Sequence, residues 1–68
     1  MRVRNADVLR DYVELSGVTH RELARRAGLG HATVNHLLTG RRPSCSPTTA
    51  EAIESALGAT PGVFFESG

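Results

Sequence analysis

The sequence predicts a small all-α bundle of four to five helices. Three observations lead there. Apolar residues recur at three- and four-residue spacing in four successive segments. Each segment is bounded by helix-start residues, glycine or both. The 68 residues hold one domain and leave no room for a second. A chain this short buries only about 60% of its unfolded surface, so its core has to be compact. Strand signals are almost absent.

The first segment starts at Asn5, an N-cap residue type, and carries Ala6, Leu9, Tyr12, Val13 and Ser16 at helical spacing up to Gly17. This predicts a helix over 6–16, with Asp7, Asp11 and Glu14 on its outer face. The second start is Thr19-His20-Arg21-Glu22, a capping box. In such a box the Thr hydroxyl serves the Glu22 N–H, and the Glu22 carboxylate reaches back. Leu23, Ala24 and Ala27 are the buried stripe, and Gly28 ends the helix. Only Gly28-Leu29-Gly30 separates it from the third run, a helix over 31–39 with Val34, Leu37 and Leu38 on one face. Gly40 stops that helix, and Arg41-Arg42-Pro43-Ser44-Cys45 forms a polar loop. Ser46-Pro47 supplies an N-cap and a proline at the first helical position. The fourth helix buries Ala50, Ile53, Ala56 and Leu57 and closes at Gly58. Thr60-Pro61 repeats the start signal for a last short helical turn carrying Val63, Phe64 and Phe65.

Charge is distributed unevenly. The formal net charge is only +1. All eight basic side chains are Arg and fall at or before Arg42 with four acids, a net +4, whereas the remainder holds three Glu and no base, a net −3. This asymmetry suggests one basic working surface and one solvated acidic side. Arg2 and Arg4 are expected in a solvated tail, with a flexible arm as the alternative. No apolar run approaches the ~18 residues of a membrane span, and the polar N-terminus does not read as a signal peptide.

The chemistry that the sequence carries sits at residues 20–39. Two helices joined by three residues form a helix-turn-helix. A tight crossing needs a small residue, here Ala24, and a turn residue tolerant of left-handed backbone, here Gly28. Apolar Leu23, Ala27, Leu29, Val34 and Leu37 lock the pair. The run from His20 to Thr39 followed by Gly40, with Ala24 fifth, Gly28 ninth and Val34 fifteenth, resembles the helix-turn-helix of the lambda repressor and Cro (XRE-type) family. Gly17-Val18-Thr19 before it, Gly40-Arg41-Arg42 after it, and Ala56-Leu57-Gly58 resemble the same family, so the likeness covers nearly the whole chain. It implies a lambda-repressor-like bundle and binding of double-stranded DNA. Val13 departs from the pattern, since many relatives carry a basic residue there.

The resemblance places base contacts at His31, Ala32, Asn35 and His36, on the outer face of the third helix. An Asn can pair bidentately with adenine N6 and N7, and Ala can pack on a thymine methyl. The outer stripe 32, 35, 36 and 39 contains no acid. Backbone phosphates are expected at Thr19, His20 and Arg21, where a helix N-terminus offers free N–H groups, and at Thr39, Arg41, Arg42 and Ser44. For Arg21 and Arg25 a salt bridge with Glu22 is the alternative to a phosphate contact.

His31 and His36 are five apart and share no helix face as an i, i+4 pair would, so no metal site is expected. The lone Cys45 has neither an orienting partner nor a pocket, and reads as a reduced packing or surface thiol. No catalysis, cofactor or small-molecule ligand is expected. The function expected is that of a Cro-like or immunity-type repressor, of phage or bacterial cytoplasm, holding only the DNA-binding unit. An antitoxin that also binds a toxin, and a protein-interaction module of the same fold, are the alternatives. One recognition helix reads few base pairs, so a two-fold dimer on a pseudo-palindromic operator is expected, weak in free solution. Val63, Phe64 and Phe65 are its candidate contact surface, because one short turn cannot bury all three. Otherwise Val63 and Phe64 close the core while Phe65 lies exposed on the first helix.

Overall fold

The computed structural model describes residues 1–67. Its elements are β1 (Arg2–Val3), α1 (Ala6–Leu15), α2 (His20–Ala27), α3 (His31–Leu38), α4 (Pro47–Ala56) and β2 (Phe65–Glu66). Helices α1, α2 and α4 start where side chains replace missing backbone partners, whereas α3 starts at Gly30 without a side-chain cap. Asn5 Oδ1 accepts from the N–H groups of Asp7 and Val8 at 2.9 and 3.2 Å. Thr19 Oγ1 accepts from the Glu22 N–H at 3.0 Å, and Ser46 Oγ from the Thr49 N–H at 3.2 Å. Only half of the expected capping box forms. The Glu22 carboxylate turns away from Thr19 to Arg25 and Arg26, because charge-assisted bonds to guanidinium outcompete a neutral N–H.

The core is shared by all four helices. Leu9 and Val13 come from α1, Leu23 and Ala24 from α2, Val34, Leu37 and Leu38 from α3, and Ala50 and Ile53 from α4. Helix α2 packs against both α3 and α4, and α1 packs against α3. The half-buried Ala56 and Leu57 flank this core, and Tyr12 sits at its rim, its ring centroid 5.0 Å from that of Phe64. Arg10 Nη1 donates to the Leu38 carbonyl at 3.3 Å, so α1 also caps the C-terminus of α3.

The ends of the chain depart from the sequence reading. After Thr60-Pro61 the chain makes a turn rather than a fifth helix, with Gly62 at φ +89. It then runs extended as β2, antiparallel to β1, with Arg2 opposite Glu66 and Val3 opposite Phe65. Arg2 and Arg4 therefore belong to an ordered edge and both pair with Glu66, instead of forming a loose tail. This pairing also folds part of the basic N-terminal half onto the acidic C-terminal half. On its other side the N-terminal segment holds the loop after α3. The Val3 N–H donates to the Pro43 carbonyl and the Cys45 N–H to the Met1 carbonyl, each at 2.8 Å. Cys45 is half-buried at this seam, and burial pushes its thiol above the ordinary cysteine range.

Phe65 is fully buried and Phe64 is 7% exposed, whereas Val63 is 50% exposed. Both expectations for this segment are corrected in part: Val63 does stay exposed and Phe64 does close the core, but Phe65 is buried and Val63 is not. Phe64 and Phe65 are core, not a self-contact surface, and Phe65 does not lie exposed on α1. The pairing of β2 with β1 sets Phe65 opposite the buried Val3, while Phe64, just before the strand, packs beside Tyr12. The anchor is Glu54, a buried carboxylate on the inner face of α4. It accepts from the Gly62 N–H through both oxygens, at 3.1 and 3.0 Å, and from the Phe64 N–H at 3.1 Å.

Candidate nucleic-acid interface

The turn between α2 and α3 is set by a few backbone bonds. Gly28 adopts φ +71, which disfavours any side chain. Its N–H donates to the Arg25 carbonyl and that of Leu29 to the Ala24 carbonyl, a Schellman arrangement that ends α2. Ala24, 3% exposed, is the small residue beneath the crossing. With Val34, Leu37 and Leu38 buried, α3 turns its other side outward. His31, Ala32 and Thr39 are exposed there, and Asn35 and His36 are half-buried. Thr33, absent from the sequence reading, is exposed in the same first turn. The signal for it was its place off the buried stripe, three residues after the N-cap Gly30.

Several sequence-predicted residues come together. His20, the first residue of α2, places Nδ1 3.2 Å from Asn35 Oδ1. The Arg42 N–H donates to the His36 carbonyl at 3.1 Å, tying the loop to the last turn of α3. A cleft of about 410 Å³ opens between them, its walls including Ala32, Thr33, His36, Arg42 and Ser44. Ser44 is exposed and bridges to Arg2 across the N-terminal strand. Thr39 is less available than its exposure suggests, because its hydroxyl donates to the Asn35 carbonyl at 2.9 Å.

The charges divide cleanly. Five of the eight Arg are in ion pairs: Arg2 and Arg4 with Glu66, Arg10 with Asp7, and Arg25 and Arg26 with Glu22. Arg25 is therefore a salt-bridge residue. The two guanidiniums hold the Glu22 carboxyl below its ordinary value by hydrogen bonding, and Arg2 does the same for Glu66. Arg21, Arg41 and Arg42 are exposed and have no acidic partner among the described residues. Arg41 and Arg42 are those expected on DNA phosphates, and of Arg21 and Arg25, for which a Glu22 salt bridge is the alternative, only Arg25 makes that bridge. The pairs of Arg2 and Arg4 with Glu66 could not be read from sequence, because they join opposite ends of the chain, whereas the other three are local helix pairs.

The exposed large apolar side chains among the described residues are Val8, Tyr12 and Leu15, at i, i+4 and i+7 along α1, and Val63. Among the described residues no helix is long and apolar enough to cross a membrane.

No curated protein and no solved structure matches the chain significantly. Residues 6–63 match the family described as "Helix-turn-helix domain". That span runs from the first residue of α1 to beyond α4 and includes the whole α2–turn–α3 unit. A buried small residue at the crossing, a left-handed glycine at the turn and an outward α3 face are the features this DNA-binding architecture requires. The chain belongs to the helix-turn-helix domain family.

Proposed function

We propose that the chain is a sequence-specific regulator of transcription that lays α3 in the major groove of double-stranded DNA. The observation that carries this reading is the placement of the three unpaired arginines. Arg21 follows His20, which contacts Asn35 of α3, and Arg41 and Arg42 lie in the loop that Arg42 ties to the His36 carbonyl, so positive charge flanks both ends of the helix-turn-helix. Eight helical residues span roughly 12 Å, close to the width of the major groove. His31, Ala32, Asn35 and His36 then meet base edges. Thr19, His20, Arg21, Arg41, Arg42 and Ser44 position the domain on phosphates.

In this reading the protein acts by binding, not catalysis, as a Cro-like or immunity-type repressor in a bacterial cytoplasm. Two copies occupy a pseudo-palindromic operator, with their α3 helices about one DNA turn apart. Phe64 and Phe65 take no part in the self-contact.

Salt titration of binding to a selected duplex tests this. Three phosphate-bound arginines per subunit predict a log–log slope of about −3 per subunit. Arg41→Ala should lower the slope by about one and weaken all sequences alike. The end point should give two chains per full site. An affinity that does not change with salt, or an Arg41→Ala slope equal to that of the wild type, would overturn the proposal.

A further inference from the structure

We infer that His20 is a positioning residue for Asn35, and that it makes Asn35 read guanine rather than adenine. The inference rests on the DNA-binding reading above. An unconstrained Asn offers one acceptor and two donors, which suits the N7 acceptor and N6 donor of adenine. Asn35 is constrained. Its Oδ1 faces His20 Nδ1 at 3.2 Å, in the one side-chain pair that joins α2 to α3 by a hydrogen bond among the described residues.

An amide oxygen only accepts, so Nδ1 carries the proton in this contact. Both the Nδ1–H neutral ring and the doubly protonated ring satisfy that condition. With Oδ1 turned to α2, the NH₂ group leads outward from α3. Among the described residues no buried side-chain nitrogen or oxygen lacks a partner, and no protein group accepts from Asn35 Nδ2. Its donors are therefore open to solvent.

In the major groove a pair of donors finds two neighbouring acceptors only on guanine, at N7 and O6. Adenine sets a donor beside its acceptor, and the Asn35 oxygen that would receive that donor is already held by His20. His20 acts here through Asn35 and does not itself read the base. The contact links the two helices fifteen residues apart, so a sequence scan of α3 alone assigns Asn35 the wrong base.

The test is selection of binding sites from a random duplex pool with wild type, Asn35→Ala and His20→Ala. One position in each half-site loses its preference in Asn35→Ala and is thereby assigned. Wild type should show guanine there. His20→Ala, which frees the amide to rotate, should shift that position alone toward adenine. Replacing that guanine by 7-deazaguanine should weaken wild-type binding about tenfold, since one acceptor is removed. This second measurement does not use His20→Ala and stands even if that variant folds poorly.

Adenine at the assigned position in wild type, or unchanged affinity for 7-deazaguanine, overturns the inference and leaves the DNA reading intact. So does a His20→Ala profile that keeps guanine at the assigned position, whether or not affinity also falls for all sequences through a lost phosphate contact. Failure of wild type to enrich any sequence overturns the DNA reading, and this inference with it.

Discussion

Phe65→Ala is expected to destabilise the domain by about 3–5 kcal/mol, the usual cost of deleting a buried aromatic ring. Phe65 is the largest of the fully buried side chains. A domain of this size has only roughly 3–10 kcal/mol of total stability. The variant should therefore sit near or beyond the unfolding threshold at room temperature. Its effect on DNA binding should follow from unfolding. Phe65 pairs with Val3, and β1 in turn holds the loop that carries Arg41, Arg42 and Ser44 against the bundle. Urea denaturation followed by circular dichroism measures the cost. A loss under about 1 kcal/mol would remove Phe65 from the core and reopen its assignment to a self-contact surface.

Glu54 gives the second large effect. Its carboxylate serves the N–H groups of Gly62 and Phe64, and the Phe64 contact is buried. Glu54→Ala leaves these donors without acceptors and should cost about 2–4 kcal/mol. Glu54→Gln keeps one amide oxygen but turns an NH₂ group toward the remaining N–H, so its cost should be intermediate. The loss should concentrate in residues 60–66, visible as faster amide exchange there than in α2 and α3. If both variants match wild type within about 0.5 kcal/mol, water rather than Glu54 satisfies these backbone groups.

These two residues mark the boundary of what the sequence discloses. Helix limits were legible because their causes are local: Asn5, Thr19 and Ser46-Pro47 cap within three residues, and glycines with positive φ follow each helix. The buried stripes of α2 and α3 were legible for the same reason, and with them the outer face of α3. The β1–β2 pairing was not, since two-residue strands are too short to show a period of two and join the chain ends. That pairing buried Phe65 and took Arg2 and Arg4 out of the free charge. Glu54 did leave a trace. It falls at i+4 from Ala50 and i+1 from Ile53, on the inner stripe of α4, where an acid demands partners. Within the candidate site, residue types could be placed on a face, but the His20–Asn35 contact depends on how two helices cross.

The most direct test of the DNA-binding surface is a map of backbone amide chemical shifts as a selected duplex is titrated into the protein. Shifts should concentrate at the first turn of α2, along the outer positions 31–36 of α3 and through residues 40–44. The outer face of α1 around Asp11 and Glu14, and of α4 around Glu51, should stay near their free positions, because exposed acids there would face phosphate. Perturbations centred on α1 or α4, with 31–36 unmoved, would contradict the account.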